Sequence, residues 1–319
     1  TENTKDNHFF LMGNKIKDLR YGENPHQSAS LYKDLNGNKG PFYEQISGKE
    51  LSFNNFNDIK SGLSLISEFK SPTSVIIKHA IPCGVAEEKN IYNAWKKSLN
   101  ADSLSAFGGV VTFNRTVDKK TALSLSKIFL EVIVAKNFTS DAIGILSKKS
   151  NLRIIKVKNI NSFNLERPKA VISMPNIFLV QDCDNHVTKK SNLKVVSKRV
   201  PNKKELEDLI FANKVVKHVR SNAIVIAKNK VTLGIGSGNT SRVDSVKFAI
   251  EKSKRSNNST KKNFLNGSVM ASDAFFPFPD SILLAWKAGV KSVIQPGGSI
   301  KDGIVVKEVN KKNISMVFT

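Results

Sequence analysis

A β-branched run from Thr73 to Ile77 ends in Lys78 and His79, and Pro82, Cys83 and Gly84 follow at once. Two titratable side chains at the end of an apolar strand are partly desolvated. A neutral histidine held there is a competent general base near neutral pH. The same pair is compatible with one satisfied core histidine beside one lysine that carries its ammonium out to water. Pro82 to Gly84 are expected to turn the chain away from the pair, and Cys83 to be a small packing residue.

Three further segments carry chemistry. In LRYGENPHQ, Arg20 and Tyr21 stand beside Gly22. A fork donor, a phenol donor and open backbone together suit an anion, although a plain surface loop would read the same way. In GIGSGNTSRVDS (234–245) glycines follow a strand and precede a helix, so backbone N–H groups and the helix dipole could face an anion. It is neither a Walker loop nor a G-x-G-x-x-G. In ASDAFFPFPDS (271–281) three Phe and two Pro flank two Asp. That is either a core turn or an aromatic shelf for a flat ligand, with Asp280 accepting from ring N–H groups.

These residues need rigid elements to hold them. Apolar runs alternate with amphipathic ones, which predicts an α/β fold. N-caps are expected at Asp58, Ser140, Asn202 and Ser241. The stretch LKVVSKRVPNKKELED reads as a hinge, so residues 17–200 and 201–319 form two subdomains after an extension over 1–16. The second half runs hairpin (turn at Lys228-Asn229-Lys230), helix, strand, Pro-rich turn, helix, strand. That order resembles the cytidine-deaminase fold, and the first half reads as a diverged copy. The expectation is two cytidine-deaminase-like α/β subdomains, mixed sheets flanked by helices. Where that fold carries zinc ligands this chain has FFPFPDSI and GNTSRVDS, so neither zinc nor deamination is expected.

Composition narrows the classes. Basic residues number 50 against 27 acidic, a net +23. Only eight are Arg, and the 42 Lys are scattered without aromatic interleaving. This reads as a solvated surface that favours anionic small molecules, without nucleic acid. No apolar run is long enough for a membrane helix, and two distant cysteines suit a reducing cytoplasm.

Taken in order, LRYGENPHQ, VIIKHAIPCGVA, SLSAFGGVV, SNAIVIAKN, GIGSGNTSRVDS, ASDAFFPF and IQPGGSIKD resemble the AICAR transformylase domain of the bifunctional purine-biosynthesis family, over about residues 17–319. The family's cyclohydrolase domain has no counterpart in these residues, and its basic, aromatic C-terminal tail would begin just past Thr319. The resemblance implies formyl transfer from 10-formyltetrahydrofolate to the 5-amino group of AICAR. It implies Lys78 and His79 at the reacting centre, with His79 as base, and Asn222 orienting the formyl group. Arg20, Tyr21, Gly22, Phe107, Gly108 and Glu131 would hold AICAR. Val243, Phe275, Pro277, Phe278 and Asp280 would hold the folate. A homodimer with sites at the interface is implied, as is a structural potassium ion near Asp273. Asn239 and Pro279 depart from the family's usual Gln and Arg and are expected to shift folate affinity. On the residues alone, the alternatives are a zinc-independent relative of nucleoside deaminases and a basic nucleic-acid-binding module.

Overall fold

The computed structural model describes residues 8–35, 41–164, 169–257 and 265–319. Strands β1 (Gly13–Leu19) and β2 (Ala29–Asp34) pair with each other, and β3 (Glu44–Ser47) follows. The first half then runs α1 (Phe53–Ile66), β4 (Thr73–Lys78), β5 (Ile81–Glu87), α2 (Ile91–Ala101) and the single turn α3 (Ser103–Ala106). It continues through β6 (Gly109–Val117), α4 (Lys119–Leu125), β7 (Leu130–Phe138), α5 (Ser140–Leu146) and β8 (Arg153–Lys156). Strands β9 (Ala170–Met174) and β10 (Ile177–Gln181) form a separate hairpin before β11 (Lys194–Val195). The second half runs α6 (Lys203–Val216), β12 (Ile224–Lys228), β13 (Val231–Gly236), α7 (Arg242–Asn257) and β14 (Ser268–Ser272). It closes with α8 (Asp280–Ala288), β15 (Val290–Gln295), α9 (Asp302–Lys311) and β16 (Ser315–Phe318).

One mixed sheet of 12 strands passes through both halves, in the order β11-β16-β15-β14-β12-β13-β5-β4-β6-β7-β8-β3. The halves are copies. Each is a hairpin (β4/β5, β12/β13) whose first strand is antiparallel to the next (β6, β14), with two parallel strands beyond it. They meet where Val231 of β13 pairs with Ala86 of β5, and buried Thr232 accepts the Val85 N–H at 2.9 Å. β11, which precedes the expected boundary at 200/201, pairs with β16 of the second half.

Alternation along the strands sorts the core into layers. Val75 and Ile77 of β4 and Val225 and Ala227 of β12 face a shared cluster with Ile59 and Leu63 of α1 and Leu209 and Ala212 of α6. Ile76 faces a second cluster built by α2, α4 and α5, and Ile224 and Ile226 a third built by α7, α8 and α9. Gly84 and Gly234 occupy equivalent places where strand meets helix. A Cβ would come 2.1 Å from the Ser98 carbonyl oxygen at the first and 2.0 Å from that of Ala249 at the second.

Several local expectations need correcting. Ser52, not Asp58, caps α1, in a capping box with Asn55; Thr139 caps α5. Asn202 caps α6 as expected, and the Ser241 hydroxyl accepts the Asp244 N–H at 3.2 Å. β1 to β3, β5, β9, β11, α3 and α9 are not expected from the sequence. In α9 a glycine and β-branched valines hide the helical period, although Val305 and Val309 are buried.

Candidate active site

Lys78 pairs with Ile81, leaving His79 and Ala80 as a two-residue hairpin turn with φ of 52° and 60°. Both lie in the left-handed region that a type I′ turn requires, which is unfavourable for Ala. The turn therefore falls on His79 and Ala80, not on Pro82 to Gly84. Those three residues lie in β5, where the register shifts between Ile76 and Ile77 and leaves Cys83 in a bulge. A bulge is one of the few places a strand tolerates proline. Asn229 and Lys230, with φ of 55° and 56°, form the equivalent turn in the second half, where the sequence located it. Cys83 packs against the second cluster, and burial pushes its thiol up to about 12, with Asp102 adding to the effect.

The Ala80 N–H donates to Asp58 Oδ1 at 2.6 Å. Burial pushes the Asp58 carboxyl above the usual carboxylate range, with Glu131 adding to it; the Ala80 N–H, His79 and Lys78 pull the other way. Lys78 is half-buried, but His79 is exposed on this chain, so desolvation reaches only one of the pair. The Lys78 ammonium donates to the carbonyl oxygens of Phe107 (3.1 Å) and Gly108 (2.8 Å). Gly108 is left-handed (φ 65°), and its N–H donates to the Phe129 carbonyl at 2.8 Å. The exposed rings of Phe107 and Phe129 lie 5.3 Å apart.

A cleft of about 520 Å³ opens at the N-terminal end of β7. It is lined by Arg20, Tyr21 and Glu131, three of the residues expected to hold AICAR, and by Phe129. Arg20 donates to the Tyr21 hydroxyl at 2.9 Å, with its guanidinium 4.7 Å from the ring centre. Glu131 Oε2 accepts from Asn55 Nδ2 at 2.9 Å, which ties the acid to the first turn of α1. Buried Gly22 closes the Arg-Tyr loop by donating to the Gln27 carbonyl at 2.8 Å. Lys49 and Arg153 also line the cleft and were not foreseen; they bring further positive charge to it.

Asn222 belongs to a second cluster. Its amide donates to the carbonyls of Asn239 (3.0 Å) and Thr240 (3.2 Å), and its Oδ1 accepts from Arg242 at 2.8 Å. Arg242 also pairs with Asp273, which accepts from the Ser221 hydroxyl and, at 3.0 Å, from the Ala223 N–H. Burial raises the Asp273 carboxyl, but Ser221 and Arg242 outweigh it and hold the group below the usual range. Arg242 thus matches the charge of the Asp273 carboxylate. Among the described residues, no group of three or more His, Cys, Asp and Glu could hold a metal.

Val243 is half-buried beside Arg242 on the first turn of α7. Phe275, Pro277 and Phe278 are exposed around buried Phe276, whose N–H donates to buried Gln295 at 2.7 Å. The Lys301 ammonium lies 3.8 Å from the Phe278 ring centre. Asp280, exposed, begins α8 and accepts the Ser281 N–H at 2.7 Å.

Strand directions put all of these residues at one end of the sheet. The C-terminal ends of β4, β13, β14 and β15 and the N-terminal ends of β6, β7, β8 and β12 point the same way. The two clusters remain separate. Among the described residues no hydrogen bond or ion pair joins Lys78 or His79 to Asn222, and β5 and β13 lie between their strands, which sets β4 and β12 about 14 Å apart.

The family model described as the AICARFT/IMPCHase bienzyme matches residues 1–252. The bifunctional purine biosynthesis protein PurH of Caldicellulosiruptor saccharolyticus is 49% identical over 308 residues, 95% of this chain and 58% of its own length. The PurH proteins of Persephonella marina and Acetivibrio thermocellus are 50% and 46% identical, over 94% and 96% of this chain and 58% of their own lengths. The chain thus spans a little over half the length of these relatives. With that model covering most of its residues, and with the motif order Arg20-Tyr21, Lys78-His79, Asn222 and the Phe275–Asp280 turn brought to one end of a duplicated sheet, the chain belongs to the AICARFT/IMPCHase bienzyme family.

Proposed function

We propose that this chain transfers the formyl group of 10-formyltetrahydrofolate to the 5-amino group of AICAR, releasing formyl-AICAR and tetrahydrofolate. The observation that carries this reading is the Lys78-His79 pair at the tip of a hairpin, on the sheet end where Arg20, Tyr21 and Glu131 line a cleft.

The attacking amine is poor, because its lone pair is conjugated with the imidazole and carboxamide. Its nitrogen forms a bond to the formyl carbon and gives its proton to His79. The bond from carbon to folate N10 breaks, and N10 leaves with a proton given by Lys78, which the His79 imidazolium then restores. Lys78 supplies the charge. Two of its three N–H groups are held by Phe107 and Gly108, and the third is left for the formyl oxygen or N10. Arg20, Tyr21 and Gly22 take the nucleotide, Phe107 and Gly108 lie along the base, and the second oxygen of Glu131 accepts from the carboxamide. Val243, Phe275, Pro277 and Phe278 hold the folate, with Asp280 on the pterin. Asn222 offers a lone pair on Oδ1 while fixing Arg242.

Two such sites belong to a homodimer. Val171, Ile172, Ile177, Phe178 and Leu179 on the β9–β10 hairpin are all exposed, as a surface awaiting a second copy would be. The two separate clusters are then completed across the interface. The reading assigns the protein to the cytoplasm and to small anionic substrates, and its halves at 17–200 and 201–319 to two subdomains. No described helix is long and apolar enough to cross a membrane. The test is AICAR plus 10-formyltetrahydrofolate with the purified full chain, following tetrahydrofolate release; absence of turnover rejects the reading.

A further inference from the structure

The duplication supplies an internal control for the catalytic turn. Asp58 and Asp208 are each the sixth residue of a 14-residue helix, α1 or α6, and both helices begin with a capping box. Each reaches the two-residue turn of its own hairpin. Asp208 commits both oxygens, accepting the Asn229 N–H at 2.8 Å and the Lys230 N–H at 2.7 Å, and is fully buried. Asp58 commits one, accepting only the Ala80 N–H at 2.6 Å. Its Oδ2 takes no hydrogen bond from any described residue, and the residue is half-buried.

Holding a turn of this shape therefore accounts for one oxygen of Asp58 and leaves the other spare. The charged groups that act on the Asp58 carboxyl are His79 from the turn, Lys78 from β4 and Glu131 from β7, and His79 acts on it most strongly of the three. Lys78 is engaged by two carbonyls and Glu131 by Asn55. The imidazole is exposed and has no described partner, so it is free to turn toward the carboxylate.

We propose that Asp58 is the positioning residue of His79: one oxygen pins the turn, and the other accepts a ring N–H of His79. This rests on the formyl-transfer reading above. The bond selects the tautomer whose other ring nitrogen faces the substrate with a free lone pair. When that nitrogen takes the amine proton, the carboxylate stabilises the imidazolium and itself stays ionised.

The test compares Asp58→Asn with Asp208→Asn in the full chain. The amide keeps an acceptor for the Ala80 N–H but loses the charge. For Asp58→Asn the expected result is a fall in kcat of at least about 10-fold with KM for AICAR within about 3-fold. The acid limb of the rate profile should move to lower pH, because the imidazolium has lost an anionic neighbour. Asp208→Asn should lower the urea midpoint and leave kcat and the pH profile unchanged. Wild-type kcat and an unmoved profile in a folded Asp58→Asn overturn the proposal. Should that variant not fold, the ¹⁵N shifts of the His79 ring in the wild type decide: one dominant tautomer supports the bond, and an even mixture rejects it. Absence of turnover in the wild type rejects the formyl-transfer reading instead, and the ring shifts still decide the Asp58 contact.

Discussion

The Lys78 ammonium lies 2.8 Å from the Gly108 carbonyl oxygen, and a Cβ on Gly108 would come 3.0 Å from that ammonium. Gly108 also has φ of 65°, where L side chains are strained. Gly108→Ala should therefore displace Lys78 and cut kcat at least about 10-fold, a rise of ~1.4 kcal/mol in the barrier. Thermal unfolding should change far less than for a core truncation such as Ile77→Ala, since Gly108 lies outside the three core clusters. Unchanged kcat in Gly108→Ala would separate Lys78 from the chemistry.

Arg242 and Asp273 form the central ion pair of the second cluster, with side chains only 9% and 17% exposed. Arg242→Ala leaves that carboxylate without its counter-charge and should cost about 3 kcal/mol at neutral pH, the low end for a buried pair. Asp273 is held below its unfolded value, so its contribution is present above that value and is lost as pH falls through the folded one. The difference between variant and wild type should shrink below about pH 4. Urea unfolding at pH 7 and pH 3.5 measures it; a pH-independent difference would mean that the pair is not its source.

Much of this arrangement was legible in the sequence, and the gaps have physical causes. The Asn229-Lys230 turn was located because Lys-Asn-Lys interrupts two β-branched runs. Its twin at His79-Ala80 was missed because Pro82 and Gly84 are stronger turn formers, and only the bulge at Cys83 explains their place in a strand. Asp58 was taken for a cap, since its tie to Ala80 exists only once helix and hairpin have packed together. Arg153 and Arg242 carried an unread signal. A chain that uses Lys for 42 of 50 basic positions keeps Arg where a fork of donors is needed, and both lie at the candidate site.

The exposed β9–β10 hairpin gives the proposed dimer a direct test. Phe178→Asp puts a charge on a ring that is 53% exposed on the single chain and touches only Phe9 among described aromatic partners. The substitution should leave the monomer's core intact, shift the protein to monomers in analytical ultracentrifugation and abolish turnover. A fully dimeric, active Phe178→Asp protein would assign the interface elsewhere.

Cys83 offers a check on the turn's other flank. With its thiol pushed up to about 12, it should react with Ellman's reagent at pH 8 far more slowly in the native protein than once unfolded in urea. Fast labelling of Cys83 in the native protein would contradict the packing described for β5.

The central claim is that His79 takes the amine proton. Its most direct measurement is tetrahydrofolate release from AICAR and 10-formyltetrahydrofolate by the full chain and its His79→Ala variant, with AICAR affinity measured by calorimetry. The account predicts a loss in kcat of about 10²- to 10⁴-fold, with AICAR affinity within about 3-fold of wild type. Near-normal turnover by His79→Ala would contradict it.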